Sequence, residues 1–512
     1  MNRKRFNVPS LTSVVIIGIL LFISGANSVL AEKSNQWAPD QRVPGYPDYV
    51  FTPYLLADQN RTVHAFSSQW VGETSRQYAV VYRQWSLLRG WTKPVDILLS
   101  PDGEAEIQGA FLDASGIIHV IFWGGSSSDA SIYYSKAPVA DADVSSAWSL
   151  PLAIGVSASQ PISAAFDGDD KGNLVVIYNG NVDGTGVYEI HSNDSGNAWS
   201  KARSIFQPTD TGLVPYSLRL DMGRTGYLHA AWNVVTDVGV DMSLHYARYD
   251  VNENQWSEPV TLDKRITDAA GDFGPSFPSI VDNGENVVII YNNGNPLGNR
   301  QVQPGRPVQM VAVSQDGGQT WNQPVVPFYR HLGRSGEQTL VVDGNNIVHT
   351  LFIQRIEDLS DGYRSISGVW HSELLNGVWS DPDRLVTTLS PHDVRAVVCQ
   401  GNLLLAVWRE DPGGKKQHGI WFSYTILDVP ESPIVIPPTL ALNDSMTPNT
   451  DFASSSTAVA VSPTAIREIS LDSLPTGFTG NPAEPLIIAL LLVLLALVGV
   501  ILIYQVYRNR NS

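Results

Sequence analysis

Side chains that could bind an anion or a sugar are concentrated in the last third of the chain. Arginines lie there close to carboxylates and a tyrosine, although the whole protein is acidic, with a formal net charge of −17. Because guanidinium groups pair bidentately with carboxylates, the cluster predicts a site for an anionic or polyhydroxylated ligand. The alternative is that these charges only solvate long loops. The candidate ligand-binding residues are Arg330, Arg334, Glu337, Arg355, Tyr363, Arg364, Asp393, Arg395, Arg409 and Glu410.

Four histidines raise the question of a metal site, since imidazole is a common metal ligand. They are His64, His119, His229 and His349, and each occupies the same position of a long sequence repeat. This spacing predicts histidines spread around a ring, so packing roles are favoured over metal binding. We expect no metal and no cofactor, and no Walker, dinucleotide, zinc or nucleophile-elbow motif is present.

Composition excludes two further classes of protein. The acidic balance argues against nucleic-acid binding, which needs a basic face. The single cysteine, Cys399, excludes an intramolecular disulfide framework and is expected to be a buried, inert thiol. Stability must therefore come from an apolar core.

A repeat of about 55 residues must position the candidate residues. Its first marker is a tryptophan followed by Ser, Thr or Asn and usually by a proline. The markers are Trp91, Trp148, Trp199, Trp256, Trp321 and Trp379. Subtracting these positions gives spacings of 57, 51, 57, 65 and 58 residues. The unit therefore persists while its loops vary in length.

Each repeat contains four predicted strands separated by turn residues, which is typical of a propeller blade. An Asp turn joins the first two strands, as where Asp113 precedes the apolar run from Ile118 to Ile121. Second strands number seven, but tryptophan-led fourth strands number only six after Gly90. The missing one is predicted at Trp37-Ala38-Pro39, near the start of the chain. We therefore expect an all-β, seven-bladed propeller in which an N-terminal strand completes the last blade, with six blades as the alternative.

Two units contain the octet Ser-x-Asp-x-Gly-x-x-Trp. Its Asp can accept hydrogen bonds from backbone amides, its Gly permits positive φ, and its Trp can pack the turn onto the blade. From Trp37 to Leu427 the chain resembles the sialidase-like Asp-box (BNR repeat) β-propellers. That resemblance implies structural turns on the face opposite the ligand site. The octet residues are Ser192, Asp194, Gly196 and Trp199, and then Ser314, Asp316, Gly318 and Trp321.

The resemblance also implies what a sialidase would need: an arginine triad, a Tyr–Glu nucleophile pair and an acid–base Asp. Phe51 stands where the first arginine of the family's Arg-Ile-Pro motif is expected, and seven blades depart from the usual six. Arg42-Val43-Pro44 matches the motif by letter but falls on the predicted outer closing strand.

The leading hypothesis is non-catalytic recognition of a glycan or a cell-surface protein. Alternatives are an exo-acting glycoside hydrolase, favoured if carboxylates meet arginines at the top of the channel, and a structural surface protein. Catalytic residues are not assigned, and enzymatic activity stays open.

The ends of the chain predict export and anchoring. Residues 1–31 read as a signal peptide, with an uncleaved anchor as the alternative, and residues 37–427 form the propeller. Residues 428–485 are rich in Pro, Ser and Thr and predict a disordered stalk. Residues 486–504 predict one transmembrane helix, and the tail 505–512 carries Arg508 and Arg510. We expect a single-pass type I protein of the cell membrane with an extracellular propeller.

Overall fold

The protein folds into seven antiparallel sheets arranged as the blades of a β-propeller, which excludes six blades. The computed structural model describes residues 36–46, 50–71, 77–99, 105–125, 130–156, 163–266, 274–294, 308–331, 336–355, 366–388, 390–410 and 419–432. The innermost strand of each blade packs on that of the next, and the last packs on the first, so the ring is closed.

The strands follow one order in every blade, from the channel outwards. The innermost strands are β2 (Tyr54–Ala57), β7 (Ala105–Leu112), β11 (Ala164–Gly168), β15 (Leu213–Met222), β20 (Ser276–Asp282), β23 (Thr339–Val342) and β28 (Pro391–Cys399). The second strands are β3 (Val63–Val71), β8 (Ile117–Gly124), β12 (Leu174–Gly180), β16 (Tyr227–Thr236), β21 (Val287–Asn293), β24 (Val348–Gln354) and β29 (Leu403–Glu410). The third strands are β4 (Gln77–Ser86), β9 (Ser131–Pro138), β13 (Gly186–Ser192), β17 (Asp241–Asp250), β22 (Val308–Ser314), β25 (Gly368–Leu375) and β30 (Gly419–Ile426).

The outer strands are short and vary most between blades. They are β5 (Gly90–Trp91) with β6 (Val95–Leu99), β10 (Leu152–Val156), β14 (Arg203–Phe206), β18 (Gln255–Trp256) with β19 (Val260–Lys264), β26 (Val378–Trp379) with β27 (Asp383–Val386), and β1 (Gln41–Arg42). Two 3-10 turns, Val139–Asp141 and Ser145–Ala147, precede β10.

Blade 5 departs from the expected four strands. Its described sheet contains β20, β21 and β22, and the outer position is reduced to one bridge between Val311 and Val325. Pro324 and Pro327 lie on either side of this bridge. Since proline has no backbone N–H to donate, a longer ladder cannot form there.

The core lies between neighbouring blades. Second strands such as β12 and β21 are buried along their whole length, which explains their continuous apolar sequences. Between blades 2 and 3, Ile121 and Trp123 pack with Phe166 and Tyr178. Cys399 is buried in the last blade, and burial raises the pKa of its thiol to about 12. Each blade face is therefore stabilised by the next blade.

The predicted closure by the N-terminal strand is confirmed. Strand β1 pairs antiparallel with β30, with Gln41 opposite Phe422. The backbone N–H of Ala38 donates to Tyr424 O (2.8 Å), and Val43 is fully buried. The last blade thus combines both ends of the propeller sequence.

The two predicted Asp turns join the third strands of blades 3 and 5 to the outer edges of those blades, at the end where innermost strands finish. The carboxylate of Asp194 accepts the backbone N–H of Ala198 (2.8 Å), and that of Asp316 accepts the N–H of Thr320 (2.8 Å). These bonds lower the pKa of Asp194. Both carboxylates are therefore engaged within their own turns.

The beginning of the predicted stalk lies against the propeller. Leu427 N–H donates to Asn402 O (2.7 Å), and Ser432 N–H donates to Gln400 O (2.9 Å). A stalk that leaves the propeller would start after residue 432 rather than at 428. In the described parts of the chain, no helix is long and apolar enough to cross a membrane. The predicted signal peptide, transmembrane helix and tail lie outside those residues, as do residues 433–485 of the stalk.

Candidate functional site

The innermost strands all begin on one face, here called the upper face, and their first residues surround the mouth of the channel. The axial pocket is the cavity of about 260 Å³ at this point. Every blade contributes to its wall, which combines arginines, carboxylates and aromatic rings. Representative residues in blade order are Tyr54, Glu106, Ser163, Arg219, Phe277, Glu337 and Arg395. A concave site with converging polar groups is the usual form of a ligand pocket.

Glu337 is the centre of an ion network in this pocket. One carboxylate oxygen lies 2.8 Å from the Arg219 guanidinium, and the other lies 3.1 Å from that of Arg395. Burial raises the pKa of Glu337, but the two guanidinium groups outweigh it and hold the pKa at about 2. Glu337 is therefore ionised at any physiological pH.

Asp393 lies beside Glu337, but its pKa is shifted in the opposite direction. Burial, and then the charge of Glu337, raise its pKa, although Arg409 at 3.6 Å opposes this shift. Its Oδ1 accepts the backbone N–H of Glu337 (3.3 Å). Two adjacent carboxylates thus differ in proton affinity, which is the condition that separates an acid from a base.

Aromatic rings form the apolar part of the pocket. The Arg395 guanidinium lies 3.7 Å from the centroid of the Tyr54 ring, a cation–π contact. Burial, and then Glu337 and Glu106, raise the pKa of Tyr216, so its hydroxyl keeps its proton. Phe51 lines the same pocket with 46% of its surface exposed. An exposed ring beside charged groups is suited to a ligand with one apolar and one polar face.

Backbone irregularities direct several side chains into the pocket. Ser217, Phe277 and Asp393 have positive φ values of 49°, 49° and 35°. Each lies where the pairing register shifts between an innermost strand and its second strand. Such bulges redirect side chains and are strained for residues other than glycine. Three blades therefore use the same distortion at this site.

Four sequence-predicted residues meet in the axial pocket: Glu337, Asp393, Arg395 and Arg409. Carboxylates and arginines do meet at the top of the channel, which was the sequence criterion favouring a hydrolase. Phe51 lines the pocket wall, while Arg42 lies on the outer strand β1, opposite Trp421.

The other candidates lie elsewhere. Arg330 is exposed and 5.9 Å from the Tyr329 ring. The Arg355 guanidinium lies 2.6 Å from Nε2 of His392, and Glu410 accepts the indole N–H of Trp408 (3.0 Å). These three do not line the axial pocket. Arg334, Tyr363 and Arg364 lie outside the described residues.

Sequence reasoning missed Tyr54, Tyr216, Arg219 and Phe277, because it took its candidates from the charged cluster in the last third of the chain, and these four residues precede that cluster. The available signal was the innermost strand itself, since Tyr54 and Phe277 are among the first two residues of β2 and β20, and Tyr216 and Arg219 lie within β15. Among the described His, Cys, Asp and Glu residues, the group close enough to share a metal ion lies away from this pocket, in blade 6. It comprises His349, His371 and Glu373.

Comparisons with known proteins identify the fold. No protein-family model and no curated protein matches the sequence. A solved polysaccharide lyase, PL25 ulvan lyase bound to -[GlcA(1-4)Rha3S]-, is 12% identical with a TM-score of 0.51, covering 75% of this chain and 96% of that chain. An α-L-arabinanase from Penicillium chrysogenum is 11% identical (TM-score 0.45; 76% and 98% covered). An intramolecular trans-sialidase from Ruminococcus gnavus is 11% identical (TM-score 0.39; 74% and 95% covered). At 12% identity the match to the ulvan lyase shows a shared fold alone.

Proposed function

We propose that this protein recognises a saccharide carrying an acidic group, bound in the axial pocket. The observation that carries the proposal is the Arg219–Glu337–Arg395 network next to the exposed ring of Phe51. Sugar rings present hydroxyls at their edges and C–H groups on their faces. The pocket offers charged hydrogen-bonding groups for the first and an aromatic surface for the second.

We expect the acidic group of the saccharide to bind near Arg409. The Arg409 guanidinium lies 3.6 Å from Asp393, whereas the Arg219 guanidinium lies 2.8 Å from Glu337. Because the pKa of Asp393 is raised, this carboxyl is more easily neutralised than Glu337. An incoming carboxylate or sulfate can then compete for the Arg409 guanidinium, whose fork matches such groups.

The ligand of the ulvan lyase suggests which saccharides to test first. That ligand contains a uronic acid and a sulfated sugar, and its protein shares the fold of this chain. Uronate-containing and sulfated oligosaccharides are therefore the first probes, with neutral oligosaccharides of equal length for comparison.

Calorimetry on the full-length protein in detergent tests the proposal. We expect tighter binding of acidic than of neutral oligosaccharides, and about two- to tenfold weaker binding for Phe51→Ala. Arg409→Gln should weaken binding of the acidic probe by at least about tenfold and remove the preference. Leu88→Ala, 96% exposed in the turn between β4 and β5 on the other face, is the matched control. Equal binding by wild type and both pocket variants would refute this assignment.

A glycoside hydrolase is the second candidate, favoured by the contrast between ionised Glu337 and the raised pKa of Asp393. Product analysis after incubation with the bound oligosaccharide distinguishes it from recognition. Turnover lost in Asp393→Asn with binding retained would support hydrolysis, whereas binding without any product supports recognition. Since Phe51 replaces the first triad arginine, we expect no release of sialic acid from fluorogenic substrates.

We further propose, from the sequence of the chain ends, that the pocket is displayed outside the cell by a C-terminal membrane anchor. A glycan or another surface protein is then the expected partner. No nucleic acid is expected, given the net charge of −17.

A further inference from the structure

A buried histidine at the start of the second strand recurs in four blades. In three of them its Nδ1 is hydrogen-bonded to a tyrosine hydroxyl of the third strand. The pairs are His64 with Tyr82 (2.6 Å), His119 with Tyr134 (2.7 Å) and His229 with Tyr246 (2.7 Å). The arrangement ties two strands together in each blade and contains one potential nitrogen ligand.

Blade 6 differs from this pattern at two positions of its third strand. His371 stands opposite Leu351, the register position that tyrosine occupies in the other three blades. Glu373 stands opposite His349 itself. The residues opposite the equivalent histidines are Gln84, Lys136 and Arg248. Both changes therefore replace poor metal ligands with good ones, on the same face of the same sheet.

The three side chains of blade 6 converge. Nδ1 of His349 lies 3.0 Å from Nε2 of His371 and 3.8 Å from a carboxylate oxygen of Glu373. Two nitrogens bound to a tetrahedral zinc ion lie about 3.3 Å apart, given Zn–N bonds of 2.0–2.1 Å. Small side-chain adjustments would therefore bring the three atoms to coordination distance.

A further carboxylate lies beside His349. Oδ2 of Asp343 is 3.3 Å from Nε2 of His349 without the geometry of a hydrogen bond, and its negative charge favours the tautomer with the proton on Nε2. Nδ1 then presents its lone pair towards His371 and Glu373. In zinc sites, a carboxylate commonly interacts with the ring nitrogen of the histidine that does not bind the metal.

We propose that His349, His371 and Glu373 bind a divalent transition-metal ion, with zinc as the expected metal. Without metal, His371 Nε2–H donates to His349 Nδ1. On binding, the metal takes the place of that proton at Nε2, and the His371 imidazole stays neutral by carrying its proton on Nδ1 instead. The Trp37 ring lies 5.5 Å from the His371 ring, so the ion would stiffen blade 6 beside the N-terminal segment that closes the propeller.

Metal titration of the untagged full-length protein tests this inference. After chelator treatment and dialysis, Zn²⁺ is titrated and bound metal is measured by mass spectrometry. We expect one tightly bound Zn²⁺ per chain, a tetrahedral Co²⁺ absorption spectrum and a higher Tm with Zn²⁺. The double variant H371Y/E373Q restores the Tyr82 and Gln84 pattern of blade 1 and should lose this ion. Asp343→Asn should weaken Zn²⁺ binding by about 10- to 100-fold.

Gln84→Glu is the matched control. It places a carboxylate at the same register position of blade 1 beside an unchanged Tyr82, and metal content should stay at one ion. Glu373→Gln alone removes one ligand conservatively and should also weaken binding. The proposal is overturned if wild type takes up no tight Zn²⁺, or if H371Y/E373Q retains it with unchanged affinity.

Discussion

At the scale of single residues, carboxylates at the ends of innermost strands have very different proton affinities. Burial, and then the charges of Asp167 and Asp282, raise the pKa of Asp221 to about 8. Burial also acts on Asp282, but hydrogen bonds with His229 and Thr225 outweigh it and lower its pKa to about 2. Asp221 Oδ2 accepts the backbone N–H of Asp282 (2.7 Å), so the two groups are adjacent. The lower part of the channel therefore holds a proton at neutral pH.

Asp221→Asn should have a higher unfolding free energy than wild type at pH 8, and this advantage should shrink progressively towards pH 4. The folded pKa of about 8 exceeds the ordinary value near 3.9, so the folded state binds the proton more tightly. Wild-type stability must then fall as pH rises through this window, by at most about 1.4 kcal/mol per pH unit. Asparagine does not titrate and keeps the acceptor for Asp282. Urea unfolding at pH 5, 7 and 8 measures the difference, with exposed Asp210→Asn as control. Parallel pH profiles for all three proteins would contradict it.

At the scale of elements, the Asp turn from Ser314 to Trp321 is stabilised by hydrogen bonds within the turn and by aromatic packing against the neighbouring blade. Ser314 Oγ accepts the N–H of Gly318 (2.8 Å), and the Trp321 ring packs edge-on against Tyr246 at 4.6 Å. Gly318 has a φ of +82°, and the Tyr246 hydroxyl lies where a Cβ would be placed. Glycine is therefore required by both the backbone angle and the close approach.

Gly318→Ala should cost about 2–4 kcal/mol of unfolding free energy, combining backbone strain with the clash against Tyr246. Gly317→Ala is the matched control, because Gly317 also has positive φ (+67°) but has space for a Cβ. It should cost only about 1–2 kcal/mol. Saccharide binding should be unchanged in both variants, since the turn lies on the face opposite the axial pocket. Chemical denaturation compares them, and equal losses would show that the tyrosine contact is unimportant.

The Trp321 ring is only partly buried against Tyr246. Trp321→Ala is therefore expected to cost about 2–3 kcal/mol, below the range for a fully buried tryptophan. Thermal or urea unfolding measures this loss, and calorimetry should find saccharide binding intact. Weakened binding without destabilisation would assign this turn a role in recognition.

At the scale of the whole molecule, the ring closes through contacts between distant parts of the chain. Ser423 Oγ donates to Ala38 O (2.6 Å), and Thr52 Oγ1 donates to Asp393 O (2.9 Å) across 341 residues of sequence. The first contact joins the closing strand to the last blade, and the second joins blades 7 and 1 at the axial pocket. The Thr52–Asp393 contact therefore links closure of the ring to the geometry of the axial pocket.

Deleting Trp37 to Val43 should open the ring. The deletion removes β1 and the fully buried Val43, leaving the edge of β30 unpaired. We expect aggregation or a large drop in Tm, measured by size-exclusion chromatography and thermal unfolding. Gln41→Ala, an exposed position in the same strand, should melt like the parent. A truncated protein that melts like the parent would contradict a structural role for this strand.

Protease added to intact cells should release a soluble propeller, if the sequence-based topology is correct. Cleavage is expected after Ser432, because the preceding residues hydrogen-bond to the propeller. Immunoblotting of the medium identifies the fragment, and cells with permeabilised membranes provide the comparison. Protection until the membrane is breached would reverse the predicted orientation.

The sequence by itself was sufficient to predict the blades, their number and the N-terminal closure. These features depend on local spacing, since the strands of blades 1 to 6 follow one another in contiguous repeats, and the last blade adds β1 from the start of the propeller sequence. The Trp37 marker revealed the closing strand because a tryptophan followed closely by a proline also opens the outer strand of most other units. Glu337, Asp393, Arg395 and Arg409 could be nominated for the same reason, from their place within a repeat.

Only the tertiary structure decided which side chains face one another. The axial pocket draws residues from all seven blades, and bulges at Ser217, Phe277 and Asp393 alter which side chains point inward. One-residue shifts of register reverse side-chain direction, so Tyr216 and Arg219, which flank the shift in β15, could not be assigned to the pocket from alternation alone. His371 and Glu373 likewise became a candidate metal site only once the strand register placed them beside His349. Register and closure are set by packing between blades, an interaction that no single repeat contains.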